Sequence, residues 1–261
     1  MTDVERPLAG RRIVVTRAAA QAGPLSQHLR HLGATVTEVP AVTIQTTASA
    51  DELRAAARRL RQGRPPRWLA VTSANAAQRL EVLRLPEDLA GVRAAAVGSI
   101  TAHTLRGIGI NVELVASGTG AAELAELLLT AGAGGGTAWL PQAEAARPEL
   151  SERLRQAGTR LEVTVCYRTV AAAGLGETLR AALAAGIDAV ALMSPSTVEA
   201  VFAALGAEAL REPVLVCGGE TTAGALRRCG LEPSVVAATS DPEGISTALV
   251  RALRRPLPPS D

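Results

Sequence analysis

The sequence contains almost no aromatic residues: one tyrosine, one phenylalanine and two tryptophans among 261 residues, or 2% of the chain. Hydrophobic residues nonetheless make up 48% of it, so alanine, leucine and valine must build the core. Cores of this kind are typical of helices packed against parallel sheets. A chain of this length forms one large domain or two smaller ones, and either can bury a core.

The sequence also lacks the features of membrane, secreted and nucleic-acid-binding proteins. Its three cysteines show no C-x-x-C spacing, which predicts unpaired thiols in a reducing compartment. No run of about 18 apolar residues occurs, and the polar start MTDVERPLAG is unlike a secretory signal. The net charge of +2 is spread without a dense basic patch. We therefore expect a cytoplasmic protein without membrane or nucleic-acid partners.

The common cofactor and catalytic motifs are absent as well. There is no G-x-G-x-x-G after the first predicted strand, no P-loop and no G-x-S-x-G. The three histidines lie in predicted helices, without a carboxylate or cysteine nearby to complete a metal site. The segment GAGGG at 132–136 precedes a strand, which predicts a turn rather than a phosphate cradle. We therefore expect no metal and no nucleotide cofactor.

What the chain does contain is a regular alternation of strand-like and helix-like segments. The run RRIVVTR (11–17) predicts a buried strand, and ATVTEVPAVTI (34–44) predicts the next strand as one unbroken segment. A helix is predicted between these two strands, and the same alternation continues to about residue 253. Strict alternation of this kind predicts an α/β fold with parallel sheets.

The alternation also contains a long repeat. Ser73 and Ser194 each follow an apolar strand and open a helix, and they are 121 residues apart. Thr101 and Thr222 have the same spacing. Because solenoid repeats are only about 20–50 residues long, this period indicates two similar lobes. The pattern allows a division near residue 135, or a chain that crosses between lobes at strands 34–47 and 161–173.

Polar residues cluster where the predicted strands end, which is where open parallel sheets bind ligands. For any one of them, capping of the following helix is the simpler interpretation. Taken together, many helix N-termini with hydroxyl side chains predict a site for a polyanionic ligand. The candidate binding residues are Thr16, Arg17, Thr72, Ser73, Asn75, Ser99, Thr101, Arg147, Ser194, Ser196, Thr197, Gly219, Thr221 and Thr222.

Two further features leave alternatives open. The arginine-rich segment RAAARRLRQGRPPR (54–67) is either a solvated helix face or a surface that attracts an anionic ligand. Tyr167, the only tyrosine, is either part of the core or a hydrogen-bond donor and weak acid beside a ligand.

Several of these segments resemble the uroporphyrinogen-III synthase family. They are WLAVTSANAAQRL, AAAVGSITAHTLRGIG, VCYRTV, LMSPSTVEAVF and GGETTAGALRRCG, and they occur in that family's order over roughly residues 11–250. The resemblance implies two parallel-sheet α/β lobes of the flavodoxin or Rossmann kind, joined by two extended linkers with a cleft between them. One lobe would comprise residues 1–46 with 170–261, and the other 47–169.

The resemblance also implies a function. Members of the family cyclise the linear tetrapyrrole hydroxymethylbilane, which carries eight carboxylates, to uroporphyrinogen III in haem biosynthesis. They lose water and invert ring D through a spiro intermediate, without a cofactor. Tyr167 matches the tyrosine of the family's YRT segment and is the expected catalytic donor. Glu220 stands where the family often has a small residue, and its carboxylate is expected to point away from the substrate. We expect a monomer whose partner is this small molecule.

Two other interpretations fit the repeat and the hydroxyl-lined site. One is a non-catalytic, two-lobed protein that binds a small anion or a tetrapyrrole. The other is a degenerate family member that acts as a regulator or assembly partner.

Overall fold

The computed structural model describes residues 6–17, 19–117 and 120–253. Its internal contacts divide the chain into two compact units. The first is built from the described residues of Met1–Thr43 and Val170–Asp261, and the second is Ile44–Thr169. The chain therefore leaves the first unit, forms the whole of the second, and returns.

Strands and helices alternate in both units, as the sequence pattern predicts, and both sheets are mostly parallel. No helix in the described part of the chain is long and apolar enough to cross a membrane. The elements are β1 (Arg12–Val15), α1 (Ala19–His31), β2 (Thr35–Glu38), β3 (Val42–Thr46), α2 (Ala50–Gln62), β4 (Arg67–Val71), α3 (Ala74–Arg79), β5 (Arg93–Val97), α4 (Ser99–Gly107), β6 (Val112–Ala116), α5 (Ala121–Thr130), β7 (Thr137–Ala143), α6 (Glu149–Gln156), β8 (Arg160–Ala171), α7 (Leu175–Ala184), β9 (Ala189–Leu192), α8 (Pro195–Leu205), β10 (Val214–Cys217), α9 (Glu220–Arg228), β11 (Val235–Val236) and α10 (Pro242–Leu253).

The sheet of the first unit has the strand order β2-β1-β9-β10-β11. All four neighbouring pairs run parallel. Counted along the chain within this unit, the order is 2-1-3-4-5, which is the flavodoxin-like arrangement. Connections leave β1 in opposite directions on its two sides, so the topological switch point lies between β1 and β9. Sheets of this type bind ligands at the carboxyl ends of those two strands.

The second sheet has the same strand order when its strands are counted from β7 instead of from the first strand of the unit. Its strand order is β3-β8-β7-β4-β5-β6. If β7 is counted first and β8 second, with β4, β5 and β6 after them, the five parallel strands again read 2-1-3-4-5. Its switch point lies between β7 and β4. The repeat seen in the sequence therefore corresponds to two sheets of the same topology. The order in which their strands follow one another along the chain is circularly permuted.

The predicted single strand at 34–44 is wrong, because the structure has two strands there. β2 pairs with β1 in the first sheet, whereas β3 lies beside β8 in the second. Pro40 stands between them, and a proline cannot donate a hydrogen bond to a neighbouring strand. One apolar run therefore supplies strands to two different sheets.

The cores match the unusual composition. Three consecutive alanines of β5, Ala94–Ala96, are buried against helices of the second unit. Both tryptophans, Trp68 and Trp139, are fully buried in the same unit, and the indole N–H of Trp139 donates to Thr164 Oγ1 at 2.9 Å. Small strand residues let the helices approach closely, so leucines from the helices fill most of the remaining space.

Candidate functional site

In the first unit, Thr16 and Ser194 follow the two strands of the switch point, β1 and β9. The Thr16 hydroxyl donates to the carbonyl oxygen of Ala191 at 2.6 Å and is fully buried. It therefore fixes the loop after β1 to the neighbouring strand. Arg17, the next residue, is half-buried.

Ser194 lies at the centre of three hydroxyl groups at the start of α8. Its Oγ accepts the backbone N–H of Thr197 at 3.2 Å, which caps the helix. The same atom lies 3.0 Å from Ser196 Oγ and 2.9 Å from Thr197 Oγ1. Ser194 and Ser196 are half-buried and Thr197 is buried. Hydroxyls gathered at a helix N-terminus favour an anionic group.

The next loop in the sheet leads into α9 with no capping side chain. Gly219 is the N-cap residue of α9, and Thr222 N–H donates to its carbonyl at 3.1 Å. Thr222 is buried, whereas Thr221 is exposed. The exposed Glu220 carboxylate pairs with Arg227, which also bonds Glu232 at 3.2 Å.

The second unit has the counterpart of this loop at the start of α4. Gly98 is the N-cap residue there, with a positive φ of 78°, and again offers no side chain for capping. Thr101 is 4% exposed, the same as Thr222. Ser99 is exposed, and beside it Ile100 is 72% exposed, an unusual position for a large apolar side chain. Sequence reasoning did not single out Ile100, although its position between two predicted site residues was visible.

The most closely connected pair of predicted residues is Ser73 and Tyr167. Ser73 follows β4, and its Oγ accepts the backbone N–H of Ala76 at 3.1 Å, capping α3. The same Oγ lies 3.0 Å from the Tyr167 hydroxyl. Tyr167 is only 6% exposed. Since Ser73 already accepts a hydrogen bond from Ala76, it can donate its own proton to Tyr167, which leaves the phenol O–H to donate outward.

A β-bulge directs Tyr167 towards Ser73. β8 pairs with β7 so that Gln142 faces Val165 and Ala143 faces Tyr167, which leaves Cys166 as the extra residue. Because side chains alternate along a strand, one inserted residue places both Cys166 and Tyr167 against the same core cluster. Bulges are common beside active sites for this reason.

Thr72, Asn75 and Arg147 are the other predicted residues of the second unit. Thr72 and Asn75 flank Ser73 and are half-buried, so they share its position beyond β4. Arg147 is exposed in the segment between β7 and α6. The predicted residues are thus brought to the segments that follow the carboxyl ends of the strands within each unit.

Arg79 is a residue that sequence reasoning missed. It is the last residue of α3, the helix that Ser73 caps, and its Nε is buried without a hydrogen-bond partner among the described residues. Burial raises the pKa of the Cys166 thiol to about 11, while the nearby Arg79 charge acts in the opposite direction. A guanidinium therefore lies near the residue that precedes Tyr167. In the sequence, the only indication of this residue was that the segment WLAVTSANAAQRL, which contains Ser73, also contains an arginine.

Among residues 6–17, 19–117 and 120–253, no three His, Cys, Asp or Glu side chains come together as a metal site would need. The polar groups that the structure does gather beyond the strand ends are hydroxyls, backbone amides and guanidinium groups.

Comparison with known proteins adds a family match. The family model described as uroporphyrinogen-III synthase HemD matches residues 23–247. A mutant uroporphyrinogen III synthase from Thermus thermophilus is similar at 25% identity, over 94% of this chain and 99% of that one, with a TM-score of 0.66. The uroporphyrinogen-III synthetase of Helicobacter pylori shares the fold at 18% identity, over 94% and 100%, with a TM-score of 0.60. A search of curated proteins finds no match.

Proposed function

The chain belongs to the uroporphyrinogen-III synthase family, and we propose that the hydroxyls and amides at its strand ends hold that family's substrate. The protein is an enzyme of tetrapyrrole biosynthesis, which cyclises hydroxymethylbilane to uroporphyrinogen III with loss of water and inversion of ring D. The observation that carries the proposal is the Ser73–Tyr167 contact of 3.0 Å at a switch point.

The substrate is a flexible polycarboxylate, and the site residues suit it. Helix N-termini and hydroxyl groups bind carboxylates through many moderate contacts. The exposed Ile100 side chain offers apolar surface for a pyrrole ring beside these polar groups. The proposed contacts are Thr72, Ser73, Asn75, Ser99, Thr101, Arg147, Ser194, Ser196, Thr197, Gly219, Thr221 and Thr222, with Thr16 and Arg17 supporting the loop after β1.

The first chemical step is loss of the terminal hydroxyl group. The carbon–oxygen bond breaks and its electron pair leaves with the oxygen, while the adjacent pyrrole nitrogen stabilises the carbon as an azafulvene cation. Tyr167 gives its phenol proton to the leaving oxygen, which departs as water. Ser73 donates to the phenolate that remains and keeps it in position. Attack by the substituted carbon of ring D then gives the spiro intermediate. This intermediate fragments and closes again at the free carbon of ring D, which loses its proton, and the phenolate of Tyr167 takes a proton back.

Selection of the inverted isomer is a matter of orientation. The azafulvene closes without help to the uninverted product, so the protein must hold ring D where its substituted carbon attacks first. Fixing two reacting ends in this way lowers the entropic part of the barrier. Each of the two similar sheets carries one set of the proposed contacts.

An isomer assay tests this function. Hydroxymethylbilane is generated in situ by its synthase, the purified protein is added, and the oxidised products are separated by isomer. The type III isomer is expected to dominate, with the type I isomer alone in the absence of the protein. Formation of type I alone in both reactions would overturn the assignment. A monomeric state and a cytoplasmic location stay predictions.

Arg79 is proposed to bind a substrate carboxylate beside Tyr167. Its replacement by glutamine removes the charge and keeps a polar side chain. The substitution is expected to raise the KM for hydroxymethylbilane about tenfold, with kcat nearly unchanged, because an ionic hydrogen bond contributes about that much to binding. Steady-state kinetics with isomer separation measures both values. Arg84→Gln, which removes the same charge from an exposed side chain nearby, serves as the control. Equal KM values in the two variants would contradict the proposal.

A further inference from the structure

Glu220 places a carboxylate among the proposed contacts for a polycarboxylate substrate. It is the first residue of α9 and stands between the N-cap residue Gly219 and Thr221. Both neighbours are proposed substrate contacts, as is Thr222. The Glu220 side chain is exposed, so its charge is not removed by burial. A negative charge at this position opposes the binding of a negatively charged substrate.

An unpaired Glu220 would interfere with the substrate in two ways. Its charge would repel a substrate carboxylate at the neighbouring residues. It would also be attracted to the amides of the first turn of α9, because Gly219 has no side chain to cap them and the helix dipole favours an anion there. Both effects lower the affinity for a polyanion, so the Glu220 carboxylate needs a partner other than these amides.

Arg227 provides that partner. The two residues are seven positions apart and lie on the same face of α9, and Arg227 Nη1 donates to Glu220 Oε1. Arg227 Nε donates to Glu232 Oε2 at 3.2 Å, and Glu232 comes after the end of α9. The two hydrogen bonds raise the pKa of Arg227, and the bond to Glu220 is the larger cause. The guanidinium is therefore anchored beyond the helix while it binds the carboxylate at the start.

The opposing effects of the two charges are visible at the end of β10. Burial raises the pKa of the Cys217 thiol to about 11, while the Arg227 charge lowers this pKa and the Glu220 charge raises it. Cys217 is the last residue of β10, immediately before the loop that leads to α9. Arg227 therefore offsets the Glu220 charge at the strand end where the proposed contacts lie.

The second unit has the same arginine without the glutamate. Arg106 on α4 stands 121 residues before Arg227, which is the spacing of the sequence repeat. The first residue of α4, at the place that Glu220 takes in α9, is Ser99. Arg106 donates to the carbonyl oxygen of Val112 on β6 at 3.3 Å. The fold therefore does not impose the direction of Arg227, which is set by its acidic partners.

We propose that Arg227 is a positioning residue for substrate binding, which pairs with Glu220 and keeps this carboxylate from competing with the substrate at the start of α9. This role rests on the proposed function, because it requires substrate carboxylates beside Gly219 and Thr221. Arg227 acts through Glu220 and makes no contact of its own with the substrate. Glu232 keeps the guanidinium directed along the helix.

Steady-state kinetics of single and double variants, with isomer separation, test this role. Arg227→Gln is expected to raise the KM for hydroxymethylbilane about fivefold, with kcat nearly unchanged, because the exposed Glu220 charge is then unbalanced. Adding Glu220→Gln to this variant is expected to return the KM to within about twofold of wild type, since the charge that Arg227 controls is gone. Arg227→Lys keeps the positive charge and is expected to stay within about twofold of the wild-type KM.

Two control variants separate this role from a general effect of charge. Arg228→Gln removes the same charge from the neighbouring exposed residue of α9 and is expected to change the KM less than about twofold. Glu232→Gln removes the other partner of Arg227. Combined with Arg227→Gln, it is expected to leave the KM raised, because Glu220 is still unbalanced.

An equal rise in KM when Arg227→Gln is made in the wild-type chain and in the Glu220→Gln chain would overturn the proposal, because Arg227 would then act without Glu220. A wild-type KM in Arg227→Gln would overturn it as well. In both cases, formation of the type III isomer by the wild-type chain would leave the proposed function intact. A wild-type chain that forms only the type I isomer would overturn the function and this role together.

Discussion

Tyr167→Phe is expected to slow formation of the type III isomer about a hundredfold, at the lower end of what a positioned general acid contributes. The substitution removes only the phenol oxygen, so the buried ring keeps its place beside the core of the second unit. Spontaneous closure then competes better, and the fraction of type I isomer rises. Isomer-resolved rates of the wild-type and Tyr167→Phe enzymes, measured side by side, check both effects.

Ser73 supplies the decisive comparison for Tyr167. If Ser73 acts through its 3.0 Å contact with the phenol, Ser73→Ala slows the wild-type enzyme but has little further effect in Tyr167→Phe. Ser73→Ala also removes the N-cap of α3, which costs about 0.5–2 kcal/mol of stability. Ser49→Ala removes the N-cap of α2, which is not among the proposed substrate contacts, and controls for this loss. A Tyr167→Phe enzyme with the wild-type type III rate would rule out the donor role and leave the family assignment intact.

Gly136→Ala is expected to have the largest effect on stability, a loss of about 2–3 kcal/mol in the free energy of unfolding. A Cβ at Gly136 would lie 2.3 Å from the carbonyl oxygen of Pro66, a backbone atom that cannot turn aside. The same oxygen accepts the Thr137 N–H at 3.0 Å, at the point where β7 and β4 begin to pair. The added methyl group therefore separates the two strands. Urea unfolding followed by circular dichroism measures the change.

Alanine substitutions at two other glycines distinguish the collision at Gly136 from the general effect of adding a methyl group. Gly107 ends α4 with nothing within 4 Å of its would-be Cβ, so Gly107→Ala is expected to be neutral or stabilising by up to about 0.5 kcal/mol. Gly135 also has open space but a φ of 72°, so Gly135→Ala is expected to lose about 1 kcal/mol through backbone strain alone. If the urea concentration at the unfolding midpoint of Gly136→Ala were equal to or higher than that of Gly135→Ala, the close-contact explanation would be contradicted.

Much of the fold could be predicted from the sequence. The α/β class and the parallel sheets follow from the alternation of apolar strands and capped helices, and both predictions are confirmed. The error at 34–44 has a clear cause. One apolar run is compatible with one strand or with two, and the choice depends on which neighbouring strands pair with each half.

The candidate site could be predicted only in part. Ser73, Ser194, Thr101 and Thr222 were found because helix caps and strand ends have local sequence signals. Arg79 and Ile100 were not, because burial, exposure and missing partners are properties of packing. Whether the predicted contacts hold the substrate stays a prediction.

By itself, then, the sequence determined the alternation of elements, the 121-residue repeat and the positions of the helix caps, because these depend on residues close together in the chain. Only the tertiary structure decided that both sheets share the 2-1-3-4-5 order, since strand order is set by contacts across the whole sheet. It also placed Tyr167 against Ser73, 94 residues away, through a bulge at Cys166. A bulge arises from the pairing of β8 with β7, and no periodicity within either strand reveals it.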